Sequence, residues 1–166
     1  MRICGIEPES IVDGPGFRYV VFVQGCPHHC PGCHNPESWS FDDGFDMSVD
    51  DIYKEIISNP YLSGVTYSGG EPFEQVEELL ELSKKLEDMH LMSYSGYTYE
   101  ELLARNDEAT NELLDRLDIL VDGRYVEKLR NLSLQYRGSE NQRVIDLKKT
   151  RETGEIVLYK SEFDDI

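Results

Sequence analysis

The feature that most constrains the fold is a strand-like stretch that runs directly into a cysteine-rich loop. Residues 18–24, RYVVFVQ, are rich in β-branched and aromatic side chains, which favour a buried strand. Cys26, Cys30 and Cys33 follow at once with the spacing C-x3-C-x2-C. Clustered cysteines in a reducing compartment indicate a metal or redox site rather than a disulfide framework. The sequence therefore predicts a site at the end of a strand.

The spacing alone leaves the bound group open. A structural zinc site has four protein ligands, so a Cys3His site is one interpretation. The candidate fourth ligands are His28, His29, His34 and the distant Cys4. Thiolates equally suit a [4Fe-4S] cluster, in which three cysteines leave one iron with an open position. Cys4 is otherwise typical of a small buried apolar residue, and His28 and His29 are typical of polar loop positions.

The remaining chain alternates between strand and helix patterns. Strands are predicted at 18–24, 64–68, 91–94 and 119–121, helices at 47–57, 74–89, 98–105 and 111–117, and extended segments at 132–136, 143–147 and 156–159. This order predicts an α/β fold with a mostly parallel sheet. The 166 residues form one predicted domain, 1–166, too short for a complete eightfold barrel. We therefore expect a partial TIM-type β/α barrel, with the cysteine loop at the C-terminal edge of the first core strand.

Three further motifs also follow predicted strands: G-G-E-P at 69–72, S-Y-S-G-Y at 93–97 and D-G-R at 122–124. Glycines permit close backbone approach, and Glu71 can accept hydrogen bonds from an ammonium group. Taken singly, G-G-E-P is also typical of a tight strand–helix turn. Asp122 and Arg124 could likewise form only a surface ion pair. Ligands of α/β folds bind at the carboxyl ends of strands, so the motifs together predict one shared site.

Composition narrows the class of protein. The net charge of −17 argues against a duplex nucleic-acid binder, whose affinity comes mainly from cationic contacts. Residues 124–151 contrast with the rest, with eight basic residues against three acidic ones. That segment could meet an anionic ligand or an acidic partner, or merely balance the acids around it. No apolar run is long enough for a bilayer, and the first residues lack an apolar signal core, so a cytoplasmic protein without a membrane partner is expected.

The motifs resemble a known superfamily. C-x3-C-x2-C after one strand and G-G-E-P after the next are similar to the radical S-adenosylmethionine enzymes. D-G-P-G-x-R at 13–18 and C-H-N at 33–35 resemble the glycyl-radical-enzyme activases within it. The motifs at 30–39, 94–97, 120–125 and 137–146 resemble one branch, the activating proteins of the anaerobic ribonucleoside-triphosphate reductase. These motifs span nearly the whole chain.

The resemblance implies roles for individual residues. Cys26, Cys30 and Cys33 would hold a single [4Fe-4S] cluster, because the chain lacks the eight-cysteine ferredoxin-like insert of some activases. The implied contacts of S-adenosylmethionine are Gly69, Gly70 and Glu71 for its amino group, Gly32 and His34 along the cofactor, and Ser93, Ser95, Asp122 and Arg124 for its ribose or carboxylate. Arg137, Asn141 and Arg143 are implied on the partner-facing side. Many superfamily members have an aromatic residue where this chain has Gly32, which leaves His34 as the candidate for the adenine.

The same resemblance implies a reaction. An external one-electron donor reduces the cluster, and S-adenosylmethionine is cleaved to methionine and a 5′-deoxyadenosyl radical. That radical takes a hydrogen from a glycine Cα in the large glycyl-radical subunit of the reductase. The alternatives are a radical S-adenosylmethionine activase or synthase for another partner or substrate, and a non-enzyme such as a zinc-structured or electron-carrier module.

Overall fold

The computed structural model describes residues 1–160, in which one seven-stranded sheet is packed against α-helices. The strands are β1 (Arg2–Ser10), β2 (Arg18–Val23), β3 (Phe45–Asp46), β4 (Gly64–Gly69), β5 (His90–Tyr94), β6 (Ile119–Asp122) and β7 (Arg143–Asp146). The helices are α1 (Val49–Ile57), α2 (Val76–Lys85), α3 (Tyr99–Ala104), α4 (Glu108–Arg116) and α5 (Leu147–Thr153). Short 3₁₀ turns lie at Pro36–Ser38, Pro72–Glu74 and Glu127–Leu129.

The sheet has a parallel centre and antiparallel edges. Its strand order is β3-β1-β2-β4-β5-β6-β7, and β2, β4, β5 and β6 are parallel to one another. β1, β3 and β7 pair antiparallel. Arg18, Gly64 and His90 are aligned in register at the starts of β2, β4 and β5, so these strands end at one edge. The α/β class with a parallel centre is thus confirmed.

The helices cover one face of the sheet. A large core cluster joins residues of the helices to strand residues such as Val65, Tyr67 and Leu91. The opposite face carries a small cluster of Met92, Ile119 and Val121. Alternate residues of β5 therefore point to different cores, as the period of two in a strand requires. Within the described residues, no helix is both long enough and apolar enough to cross a membrane.

Local capping explains where most helices begin. Ser48 accepts a hydrogen bond from Asp51 N at the start of α1, as the sequence predicts. Thr98 and Glu101 form a capping box on α3. The prediction for α4 began at residue 111, three residues late, because the cap Asp107 was not recognised. The predicted helix 74–89 is shorter in the structure, since a 3₁₀ turn precedes α2.

The larger differences between the predicted and the observed elements lie in β1 and after residue 131. β1 was not predicted, because Gly5 and Pro8 interrupt its pattern. Residues 132–136, predicted to be extended, form turns and bends. Residue 147, also predicted to be extended, begins α5, where Asp146 accepts a hydrogen bond from Lys149 N. The extended prediction for 156–159 is correct, since Leu158 bridges to β7.

Candidate functional site

The cysteine loop is anchored at its base by backbone hydrogen bonds. Gly25 N donates to Ser38 O at 2.7 Å, and Cys26 N donates to Trp39 O at 3.1 Å. The second half of the loop turns back, with Cys33 N donating to Cys30 O at 3.0 Å. All four cysteines of the chain are free thiols. The loop therefore begins at the end of β2 and returns there, because its two ends are hydrogen-bonded to each other near the Pro36–Ser38 turn.

A cavity of about 500 Å³ opens at this edge of the sheet. Its walls include Cys26, Cys30 and Cys33 on one side and Gly69 and Gly70 on another. Of the other sequence-predicted residues, His34, Ser95 and Arg137 also line it. The structure thus brings the three thiols and the G-G-E-P turn to one cavity at the carboxyl ends of the parallel strands.

Burial changes the chemistry of two of the thiols. Desolvation raises the pKa of the Cys26 thiol, and hydrogen bonds from backbone amides partly oppose the rise. Desolvation likewise raises the pKa of the Cys30 thiol. A positively charged group that the thiols bind favours their deprotonated form, as metal ligation generally does. Without such a group, burial favours the neutral thiol at Cys26 and Cys30.

The glycines of the G-G-E-P turn are required by packing against the cysteine loop. Gly69 has a φ of +97°, and a Cβ there would lie 2.5 Å from Val23 N. A Cβ on Gly70 would lie 2.4 Å from Gly25 O. Gly70 N and Glu71 N donate to Val23 O and Gly25 O, at 2.7 and 2.8 Å. The turn is therefore hydrogen-bonded to the base of the loop that carries the thiols.

Glu71 lies behind the cavity wall, and its carboxylate is fully buried. Phe73 N donates to Oε2 at 3.0 Å, and Gly96 N donates to Oε1 at 2.7 Å. Ser95 Oγ donates to both oxygens, and the His28 imidazole lies 2.8 Å from Oε1. The carboxylate is satisfied within the protein in this conformation, so it organises the turn. The contact predicted between Glu71 and the cofactor amino group stays a prediction.

Several other predicted contacts lie outside the cavity lining. Gly32 faces the carboxylate of Glu127. Ser93 is buried and donates to Tyr94 O. The Asp122 carboxylate accepts hydrogen bonds from Tyr99 N and from the guanidinium of Arg143. The same guanidinium also donates to Glu100. The roles predicted for these residues in cofactor binding are not visible in this arrangement and remain hypotheses.

The residues predicted to face a partner are also engaged within the chain. Arg137 donates to Gln142 O, and Asn141 Nδ2 donates to Arg124 O at 2.8 Å. Arg143 is held by two carboxylates. These contacts shape the segment between β6 and β7, and Arg137 is the one of the three that also lines the cavity.

Comparisons with known proteins identify the family of this chain. A protein-family model described as a 4Fe-4S single cluster domain matches residues 12–145. The anaerobic ribonucleoside-triphosphate reductase-activating protein of Escherichia coli K12 is 34% identical over 151 residues, covering 85% of this chain and 96% of that protein. The protein of the same name from Enterobacteria phage T4 is 33% identical, covering 84% and 90%. This chain belongs to the family of anaerobic ribonucleoside-triphosphate reductase-activating proteins.

Among solved structures, the crystal structure of QueE from Escherichia coli matches with a TM-score of 0.44 at 21% identity. The match covers 58% of this chain and 52% of QueE, a similarity too low to inform function. Membership of the activating-protein family is the stronger finding. It confirms the predicted enzyme class and the predicted cofactors, a [4Fe-4S] cluster and S-adenosylmethionine.

The residues that line the cavity fit an iron–sulfur cluster. Cys26, Cys30 and Cys33 supply the soft thiolate ligands that such clusters bind. The buried Trp39 Nε1 has no hydrogen-bond partner among residues 1–160, and Trp39 lines the cavity. A cluster sulfur is an acceptor of the kind that this donor lacks.

Sequence reasoning missed two groups of residues at the site. His28 was interpreted as a polar loop residue, but it lies between the cysteine loop and Glu71. Tyr94, Tyr125 and Tyr136 line the cavity, and His34 lies 5.0 Å from the Tyr125 ring, measured between centroids. Tyr94 and Tyr125 lie in the motifs at 94–97 and 120–125, so the motifs contained a signal for them. His28 had no such signal, because its contacts are distant in sequence.

Proposed function

We propose that this protein generates a glycyl radical on the large subunit of the anaerobic ribonucleoside-triphosphate reductase. The observation that carries the proposal is the meeting of the C-x3-C-x2-C thiols with the Gly69–Gly70 turn at one cavity. When bound, the cluster supplies the electron for reductive cleavage of S-adenosylmethionine. The relatives' names supply the identity of the partner.

The protein's own residues bind and orient the reactants. Cys26, Cys30 and Cys33 would hold the cluster, and the cluster would supply the position at which S-adenosylmethionine binds. The backbone of Gly69 and Gly70 forms the neighbouring wall of the cavity, suited to the methionine amino group. His34 and Tyr125 offer adjacent aromatic rings for the adenine. The hydroxyl hydrogen of Ser95 is donated to Glu71, so Ser95 offers the cofactor only an acceptor oxygen. Glu71 acts from behind the wall.

The partner's glycine must reach this cavity, and the cavity rim suits a protein loop. Val12 and Leu132 both line the cavity, although their side chains are 72% and 81% exposed. Exposed apolar residues beside a cavity are typical of a surface that a partner covers. Arg137 adds a cation to the same wall. Asn141 and Arg143 contribute to partner binding by fixing the shape of this segment.

The fold supports an open architecture for this reaction. β2, β4, β5 and β6 are neighbours in the sheet and occur there in the same order as in the chain, and the helices pack on one face. That arrangement is the one expected of a partial β/α barrel with its carboxyl edge open. We infer a single catalytic domain of this kind over residues 1–166, which extends past the described residues. Reduction by an external one-electron donor, a cytoplasmic location and the absence of a nucleic-acid partner are part of the same proposal.

The test begins with anaerobic purification and reconstitution. We expect about four irons and four sulfides per chain for one cubane cluster. With a strong reductant and S-adenosylmethionine, the protein should release methionine and 5′-deoxyadenosine. With the large reductase subunit added, electron paramagnetic resonance should detect a glycyl radical. Colourless protein that holds one zinc would contradict the cluster, and cofactor cleavage without radical formation on this subunit would favour another partner.

A further inference from the structure

His28 lies between the elements of the site and forms part of the cavity wall. Its side chain is 5% exposed, although it belongs to a loop. Nε2 lies 2.8 Å from Glu71 Oε1, and Nδ1 lies 3.2 Å from Arg124 Nε. The Tyr97 ring meets the imidazole edge-on with 4.5 Å between centroids. The position of the ring is therefore fixed by contacts on several sides.

These contacts define which nitrogen of His28 carries the hydrogen. Arg124 Nε can only donate, so His28 Nδ1 must accept. Nε2 then carries the hydrogen and donates to the Glu71 carboxylate. A neutral imidazole satisfies both neighbours at once, and the chain Arg124–His28–Glu71 has a consistent direction of donation.

Glu71 extends this chain of contacts to two more turns. Its carboxylate accepts from Phe73 N in its own turn and from Gly96 N and Ser95 Oγ in the turn after β5. His28 lies between Cys26 and Cys30, so it adds the cysteine loop to the same carboxylate. Gly96 makes this possible, because a Cβ there would lie 2.4 Å from His28 Cδ2.

The backbone contacts cannot perform the same task. Gly70 N and Glu71 N bind Val23 O and Gly25 O, which precede the first thiol. They fix the base of the loop but not the part between the cysteines. The His28–Glu71 hydrogen bond is the contact that reaches this part from the G-G-E-P turn.

We propose that His28 is a positioning residue that holds the cysteine loop in register with the Gly69–Gly70 turn. The inference rests on the proposed function, in which the loop holds the cluster and the turn holds S-adenosylmethionine. The open iron and the cofactor can meet only if the two elements keep a fixed separation. Small errors in the position of reacting groups are costly. His28 therefore acts on cofactor binding through Glu71, in addition to forming part of the cavity wall.

Two variants of His28 separate its hydrogen bond from its volume. His28→Phe keeps an aromatic ring but loses the donor to Glu71, whereas His28→Gln retains an N–H that can reach the carboxylate. Gly96→Ala displaces the imidazole without removing any hydrogen-bonding group. Asp43→Asn is the control, because Asp43 is exposed and lies in the segment that follows the Pro36–Ser38 turn, outside the cavity lining.

The main measurement is the Kd of S-adenosylmethionine for the reconstituted protein, normalised to iron content. We expect His28→Phe and Gly96→Ala to raise Kd by about tenfold or more, since each breaks a hydrogen bond to a buried charge. His28→Gln and Asp43→Asn should stay within about threefold of the original protein. S-adenosylmethionine changes the electron paramagnetic resonance spectrum of the reduced cluster. This change should be weaker in His28→Phe and Gly96→Ala.

Hydrogen exchange of the cluster-free protein provides a second measurement that needs no cofactor. His28→Phe should accelerate exchange at residues 69–73 and 95–97, and Asp43→Asn should not. If His28→Phe cannot be prepared folded, Gly96→Ala carries the same two tests.

The inference is wrong if His28→Phe and Gly96→Ala both bind S-adenosylmethionine as the original protein does. It is also wrong if exchange at the two turns is unchanged, or if His28→Gln fails as severely as His28→Phe. These outcomes differ from a failure of the proposed function, in which the original protein itself would bind no cluster or no S-adenosylmethionine.

Discussion

The two ends of the parallel strands each contain an arginine–histidine network, buried at the amino ends but with an exposed arginine, Arg124, at the carboxyl ends. At the amino ends, Arg18 is completely buried and donates to Thr66 Oγ1, Val65 O and Pro15 O. His90 Nδ1 lies 3.1 Å from the same guanidinium. At the carboxyl ends, Arg124, His28 and Glu71 form the other network. Strand residues dominate the first network, and loop residues form the second.

This difference separates stability from function. The register of β2, β4 and β5 places Arg18 and His90 on either side of Gly64, so their geometry follows from the sheet. Gly14 and Gly64 leave room for the guanidinium, since a Cβ on either would collide with it. The carboxyl-end network instead depends on loops that also line a cavity. Active sites of α/β proteins lie at this end because loops can vary while the strands stay fixed.

The largest expected effect is the loss of one thiol at the carboxyl end. Cys30→Ala should abolish cluster binding and cleavage of S-adenosylmethionine, because a cubane needs all three thiols of this loop. Cys4→Ala is the matched control, since Cys4 lies on β1 outside this cavity. Iron analysis and release of 5′-deoxyadenosine measure both. Retention of cofactor cleavage in Cys30→Ala would contradict the ligand assignment.

The next effect probes the amino end. Arg18→Met should lower the free energy of unfolding by about 3 kcal/mol, because buried acceptors lose their donor. Burial lowers the pKa of Arg18 to about 10, so it is still charged at neutral pH. Urea unfolding of the cluster-free protein measures the loss. The iron content of the folded fraction should not change. If Arg18→Met instead lowered cofactor affinity at unchanged stability, the division between the two ends would be wrong.

A smaller effect is expected at the rim of the cavity. Leu132→Ser should lower glycyl-radical formation on the reductase by about fivefold, through the loss of an apolar contact. Cleavage of S-adenosylmethionine without the partner should be unchanged. Tyr61→Ser is the control, because Tyr61 is equally exposed, at 81%, but precedes β4 at the amino end. Equal losses in both variants would remove the rim from the docking surface.

The features that could be predicted from the sequence differ from the others in how close in sequence their contacting residues lie. β2, the cysteine loop and the Ser48 cap were predictable, because each depends on residues close in sequence. β1 was not, since its pairing with β2 overrides a pattern broken by Gly5 and Pro8. The role of His28 was hidden because its partners lie 43 and 96 residues away. Glu71 was recognised by its motif, but only tertiary structure shows that its carboxylate is turned inward.

The smallest expected effect is a pH dependence at the amino end. Burial, and then the charge of Arg18, lower the pKa of His90, against opposing contributions from Asp118 and Asp146. The folded protein therefore resists protonation of His90, whereas the unfolded chain binds this proton below about pH 6.5. The free energy of unfolding should fall as the pH drops below about 6.5, by at most about 1.4 kcal/mol per pH unit from this group. His90→Gln should remove that part of the slope in urea titrations at several pH values. An unchanged slope would show that His90 is protonated as readily in the folded protein as in the unfolded chain.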